Sequence, residues 1–321
     1  MRSILACFLV VTCLAAPLAA EELTGTLQQI QKSGKIRVGY RASLPPLSFL
    51  NKEGAPVGYS IDLCKAIAEA AKQEIGSDIS VEYVPVTSAN RFDALMDNRI
   101  DILCGATTKT ISRGEKVDFT QLTFVTGGSF MSLKKTRIMN NFEGKKIGVS
   151  KGTTTEENLK RLLKEAGTKA EVVLLDSSAE ALEALNKEDI DAIAGDQVVL
   201  IGLALTSGNP GNYTILPDLF SYEPFALAVR RNDADFRLVG DRVIAVTARS
   251  TASVVVSIAR AVNAAATTTL PTSAPPSAAA ATAPCVLPPP YRREKPSPKA
   301  ETSLLNWLIS GYESGEIPAS I

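Results

Sequence analysis

The sequence predicts an α/β protein of two lobes, the second inserted into the first. Three observations carry this reading. Short apolar runs rich in Val and Ile alternate with stretches of helical apolar spacing. This β-α pattern runs to about residue 113 and restarts at about residue 141. Between and after the two runs come extended segments, at residues 118–133 and 224–229, that read as chain crossings. Alternation of this kind argues for largely parallel sheets. Two crossings make a hinge, and the cleft between the lobes is then the natural place for a ligand.

Taken in order, residues 22–35 read as a short helix with Leu23, Leu27 and Ile30 on one stripe, and residues 36–40 as a strand with Arg41 at its end. Residues 44–49, with Pro45 and Pro46, form a constrained loop, and residues 51–54 a turn. Ser60 is placed to cap the next helix, whose apolar side includes Ile61, Leu63, Ile67 and Ala68. A strand at 81–86, a helix at 89–97 capped by Ser88, and a strand at 100–104 complete the first run. In the second, strands at 146–149, 170–175 and 190–194 alternate with helices at 155–166, 178–185 and 198–205, and Asp196 links the last strand to the last helix. Residues 213–220 are extended, and a helix with Phe236, Leu238 and Val239 as its apolar residues follows Asp233.

The expected organisation is a targeting segment at 1–20, a first lobe from 21–126, a second from 127–223, a return to the first over 224–250, and a tail over 251–321. The first twenty residues have the basic start, short apolar run and small-residue exit of a cleaved export signal. Residues 264–290 are Ala, Thr, Ser and Pro with little else, too poor in large apolar groups to fold, so the tail is expected to be disordered.

Net charge is +0 over 321 residues, which gives no basic surplus for nucleic acid. Histidine is absent, which removes Ser-His-Asp and Cys-His catalysis and every His-ligated metal site. No metal, cofactor or catalytic residue is expected. Beyond the targeting segment the cysteines are Cys64, Cys104 and Cys285. Cys64 and Cys104 can pair in an oxidising compartment, but two small buried side chains are the favoured reading.

The functional residues concentrate in residues 87–113. Two arginines, Arg91 and Arg113, and several hydroxyls converge near the C-terminal ends of neighbouring strands, where open α/β sheets bind ligands. The set suits a small molecule with two acidic groups.

Several segments, taken together, resemble the family-3 periplasmic solute-binding proteins of polar amino-acid ABC transporters. They are IRVGYR at 36–41, VGYSIDL at 57–63, TSANR at 87–91, IDILCGATT at 100–108, VDFT at 117–120 and GTT at 152–154, with Arg113 and Asp196. The resemblance runs from about Leu23 to about Val246 and implies the two-lobed type II periplasmic-binding-protein fold. By position, Arg113 resembles the arginine that pairs a ligand α-carboxylate, with Thr108, the Ala106 backbone and Thr154 completing the cradle. Asp196 matches the carboxylate that receives the ligand ammonium. Arg41, Ser88 and Arg91 resemble the glutamate/aspartate-binding branch, and Leu44 stands where many relatives carry an aromatic ring. The function implied is periplasmic capture of an acidic amino acid by a monomer, for delivery to a membrane permease. The alternative is a cyclohexadienyl dehydratase-like enzyme, with Asp196 as proton donor.

Overall fold

The structure is a computed structural model describing residues 22–136, 138 and 141–249. The expected targeting segment, the tail over 251–321 and Cys285 lie outside the described residues.

The chain runs α1 (Gly25–Ser33), β1 (Lys35–Tyr40), β2 (Ser43–Leu44), β3 (Ser48–Leu50), β4 (Pro56–Val57), α2 (Tyr59–Ile75), β5 (Ser80–Pro85), α3 (Arg91–Met96), β6 (Ile102–Cys104), α4 (Ile111–Gly114) and β7 (Val117–Thr126). It continues through β8 (Gly128–Leu133), β9 (Lys146–Ser150), α5 (Thr154–Glu165), β10 (Glu171–Leu175), α6 (Ser178–Asn186), β11 (Ala192–Asp196), α7 (Gln197–Thr206), β12 (Tyr213–Ile215), β13 (Glu223–Arg230) and α8 (Ala234–Arg249).

Two five-stranded sheets form, ordered β5-β1-β6-β13-β7 and β10-β9-β11-β8-β12, with a small β2-β3-β4 sheet beside them. We call each large sheet and its helices a lobe. In each, four strands run in one direction and one runs against them. In the first, β13 runs antiparallel to β6 and β7; in the second, β8 runs antiparallel to β11 and β12. The crossing strands are the reason, since they reverse the chain's direction as it passes between lobes. The chain leaves the first sheet at Thr126, enters the second at Gly128 and returns at Glu223, which pairs with Thr126.

α2 shows why these residues fold as they do. Ile61, Cys64, Ile67, Ala68, Ala71 and Ile75 recur at helical spacing, and all are buried. Gly58 precedes the helix at φ 125°, where a Cβ would fall 2.5 Å from the Leu47 carbonyl oxygen. The first amides of the helix donate to loop carbonyls, Tyr59 N to Pro46 O at 3.0 Å and Ser60 N to Leu47 O at 2.9 Å. Ser60 therefore does not cap the helix. Its hydroxyl donates to Gly105 O at 3.0 Å, tying α2 to the turn after β6.

Two other expectations are corrected. Cys64 and Cys104 form a disulfide, because α2 packs on the end of β6 and brings their Cα atoms within 6.4 Å. Ser88 does not cap α3. Asn90 holds that position, Thr87 N donates to Asn90 Oδ1 (2.8 Å), and Asn90 N donates to Thr87 Oγ1 (3.2 Å). On α8, Phe236 and Val239 are buried but Leu238 is 46% exposed. Successive helical positions turn through about 100°, so not all three residues can face the core.

Leu44 and Leu47 of the first lobe and Leu200 and Leu203 of the second belong to one apolar cluster, so the lobes are packed together at the cleft. No helix among the described residues is long and apolar enough to cross a membrane.

Candidate functional site

The first-lobe wall of the cleft carries three guanidinium groups. Arg41 follows β1 and is 5% exposed. Its backbone is clamped by Ser48, whose hydroxyl accepts from Arg41 N (2.9 Å) and donates to Arg41 O (3.0 Å). Arg91 opens α3 and is 2% exposed. Arg113, on α4, is held by Nη1 donating to Thr108 O at 2.8 Å. Phe92 serves both of the latter: its ring centre is 5.0 Å from the Arg91 guanidinium carbon and 5.5 Å from that of Arg113. Cation–π contact of this kind offsets part of the cost of burial. Among the described residues, none of the three arginines has a carboxylate oxygen within 4 Å.

The second-lobe wall carries Asp196, at the junction of β11 and α7, with Thr155 Oγ1 donating to its Oδ1 at 3.3 Å. Between the walls lies a cavity of about 40 Å³. Arg41, Arg91, Leu44 and Ala106 line one side, and Asp196, Thr155 and Ser178 the other.

Electrostatics follow from burial. Burial lowers the pKa of all three arginines, that of Arg41 to about 10. Arg91 suffers further from the like charges of Arg113 and Arg41. Burial, then the nearby Glu223 charge, raises Asp196 from 3.8 to about 7, against the pull of Thr155, Arg91 and Arg113. Asp196 draws on all three guanidiniums, and the exposed Glu157 and the buried Glu223 draw on Arg113, so Arg41 and Arg91 are the less compensated pair. Polar satisfaction points the same way. Among the described residues, Ser88 Oγ and Arg91 Nε are buried without a hydrogen-bond partner, a condition that native interiors rarely show without a particular reason.

Of the residues singled out from sequence, Arg41, Arg91, Ala106 and Asp196 meet at the cavity. Arg113 joins through Phe92 and Thr108. The Thr108 and Thr154 hydroxyls lie 3.2 Å apart across the lobes. Ser88 lies at the seam, where a Cβ added to Gly152 of the second lobe would sit 3.6 Å from Ser88 O. Sequence reasoning missed Phe92, Thr155, Ser178 and Glu223. The only signal for Phe92 was an aromatic beside Arg91. For Glu223, in an ordinary extended segment, there was none.

The family model for bacterial extracellular solute-binding proteins, family 3, matches residues 36–156. A Pseudomonas aeruginosa L-glutamate/L-aspartate-binding protein is 32% identical over 246 residues, 75% of this chain and 82% of that protein. Among solved structures, a periplasmic binding protein of an ABC transporter from Brucella ovis with glutathione bound is 31% identical with TM-score 0.63, covering 69% of this chain and 70% of that one. An ancestral amino acid-binding protein, a precursor of cyclohexadienyl dehydratase, is 27% identical with TM-score 0.63, covering 74% of this chain and 99% of that one.

Proposed function

Since the chain belongs to family 3 of the bacterial extracellular solute-binding proteins, we propose that it captures an amino acid with an acidic side chain in the periplasm and presents it to an ABC transporter permease. One observation carries the choice of ligand: Arg41 and Arg91 are buried side by side and, among the described residues, Arg91 Nε has no hydrogen-bond partner. A zwitterion with a second carboxylate brings one net negative charge, which offsets the buried positive charge of Arg41 and Arg91. A neutral amino acid leaves that charge buried, and a cationic one adds to it. In this reading Arg113 and the Thr108 turn take the α-carboxylate, Asp196 the ammonium, and Arg41, Arg91 and Ser88 the distal carboxylate. Arg113 and Asp196 stand on elements of different lobes, so a ligand gripped by both stabilises closure.

A second reading, an enzyme, has one observation in its favour. A buried Asp196 titrating at about 7 is suited to proton transfer. Its place at the cleft and the binding-protein names of the relatives favour the role of ammonium partner.

A thermal-shift panel separates the readings. Glutamate or aspartate should raise the melting temperature, and lysine and arginine should not. Glutathione belongs in the panel because of the Brucella ovis neighbour. Turnover of prephenate or arogenate would establish the enzyme instead.

A further inference from the structure

Glu223 is 0% exposed, lies where the chain returns to the first lobe, and has no place in the ligand reading above. Its carboxylate accepts four hydrogen bonds. Oε1 receives Ser221 Oγ (2.7 Å) and Asn158 Nδ2 (3.1 Å). Oε2 receives Thr108 Oγ1 and Thr154 Oγ1, each at 2.6 Å. A carboxylate has about four lone-pair sites, so this one is filled. The donors come from different bodies: Thr108 from the turn after β6, Thr154 and Asn158 from one face of α5, and Ser221 from the crossing segment.

We propose that Glu223 is a positioning residue that latches the two lobes together at the hinge and orients the Thr108 and Thr154 hydroxyls. Neighbouring contacts support a latch more than a local brace. Lys109 N donates to Pro224 O at 2.8 Å and Ala226 N to Thr107 O at 3.0 Å, which fixes the first-lobe side without the carboxylate. On the second-lobe side, the α5 hydroxyl and amide reach Glu223 only through side chains. The carboxylate is thus a direct, charge-assisted link between α5 and the first lobe, and such bonds are about twice as strong as neutral ones.

The latch also sets what the threonines can do. A hydroxyl has one proton. With both protons given to Glu223, Thr108 and Thr154 can only accept from a third group through their side chains. They then suit a ligand ammonium, and the α-carboxylate falls to Arg113 and backbone N–H groups. This consequence rests on the binding reading; the latch does not.

The test has a ligand-free arm and a ligand arm. Glu223→Gln keeps the shape but turns an acceptor into an N–H donor aimed at other donors. Should that variant not fold, the Asn158→Ala/Ser221→Ala pair removes two of the four bonds without touching the ligand site. Small-angle scattering of the ligand-free protein, well below its melting temperature, should show a larger radius of gyration in either variant. Stopped-flow with glutamate should show dissociation faster by about tenfold and association little changed. A brace lowers the melting temperature but leaves the ligand-free radius unmoved; an unchanged radius overturns the latch. If the wild type binds no acidic amino acid, the ligand assignment fails while the scattering result still decides the latch.

Discussion

At the scale of single residues, the cleft trades stability for binding. Arg91 is buried beside two like charges, with an Nε that has no partner among the described residues. Removing an uncompensated buried charge is stabilising, on the order of 1 kcal/mol or more. Arg91→Leu should therefore raise the melting temperature of the free protein while weakening binding of acidic ligands. Each lost charge-assisted bond costs roughly 1.5–3 kcal/mol, or about 10- to 150-fold. A variant that loses stability and keeps its selectivity would assign Arg91 a structural role. Asp196 makes a pH prediction. Below about pH 7 it is protonated in the free protein and cannot pair an ammonium. Affinity should fall as pH drops through 7, by up to about tenfold per unit, with proton release on binding near pH 6. Stability of the free protein runs the opposite way. The folded chain keeps a proton that the unfolded chain gives up near 3.8, so the penalty from Asp196 is full above about 7 and fades as pH falls toward 3.8. Calorimetry across pH 5–8 checks the first effect, and Asp196→Asn should bind weakly with a flat profile.

At the scale of elements, most of the first and second sheets was legible. Buried strands such as β1 and β9 are Val/Ile-containing runs bounded by turns, and α2 and α5 carry helical periodicity, so local pattern and tertiary role agree. Failures occurred where a distant partner decides. Ser60 and Ser88 look like caps locally, but the Pro46 and Leu47 carbonyls and the Thr87–Asn90 pair take over the work. The largely parallel sheets expected from the β-α alternation are present, and the one opposed strand of each, β13 or β8, is a crossing strand. The Cys64–Cys104 bond needed the packing of α2 on β6, which no spacing reveals. The disulfide closes a separation of 40 residues, so chain-entropy reasoning gives it about 4 kcal/mol. Reduction, or Cys64→Ser with Cys104→Ser, should lower the unfolding free energy by roughly 2–4 kcal/mol in denaturant titration. It should also loosen the Gly105–Ala106 turn beside the site. An unchanged midpoint under reducing conditions would remove the disulfide as a prop for this lobe.

At the scale of the whole molecule, function depends on two lobes meeting closely enough for opposed charges to share one ligand. The seam is built for close approach. A Cβ on Gly202 of α7 would lie 2.2 Å from Pro45 O of the first lobe, so Gly202→Val should hold the lobes apart. Binding then weakens by the fraction of closed form lost, at least about tenfold, while each lobe keeps its fold. Scattering with and without ligand should show compaction in the wild type and little in the variant. Charge complementarity across the seam remains the core of the proposed function, and titration calorimetry at pH 8 with glutamate and with glutamine isolates it. The two ligands have nearly the same shape and differ by one negative charge. Tighter binding of glutamate by tenfold or more, reduced to near parity in Arg41→Ala, is the expected result. Equal or stronger binding of glutamine by the wild type would contradict it.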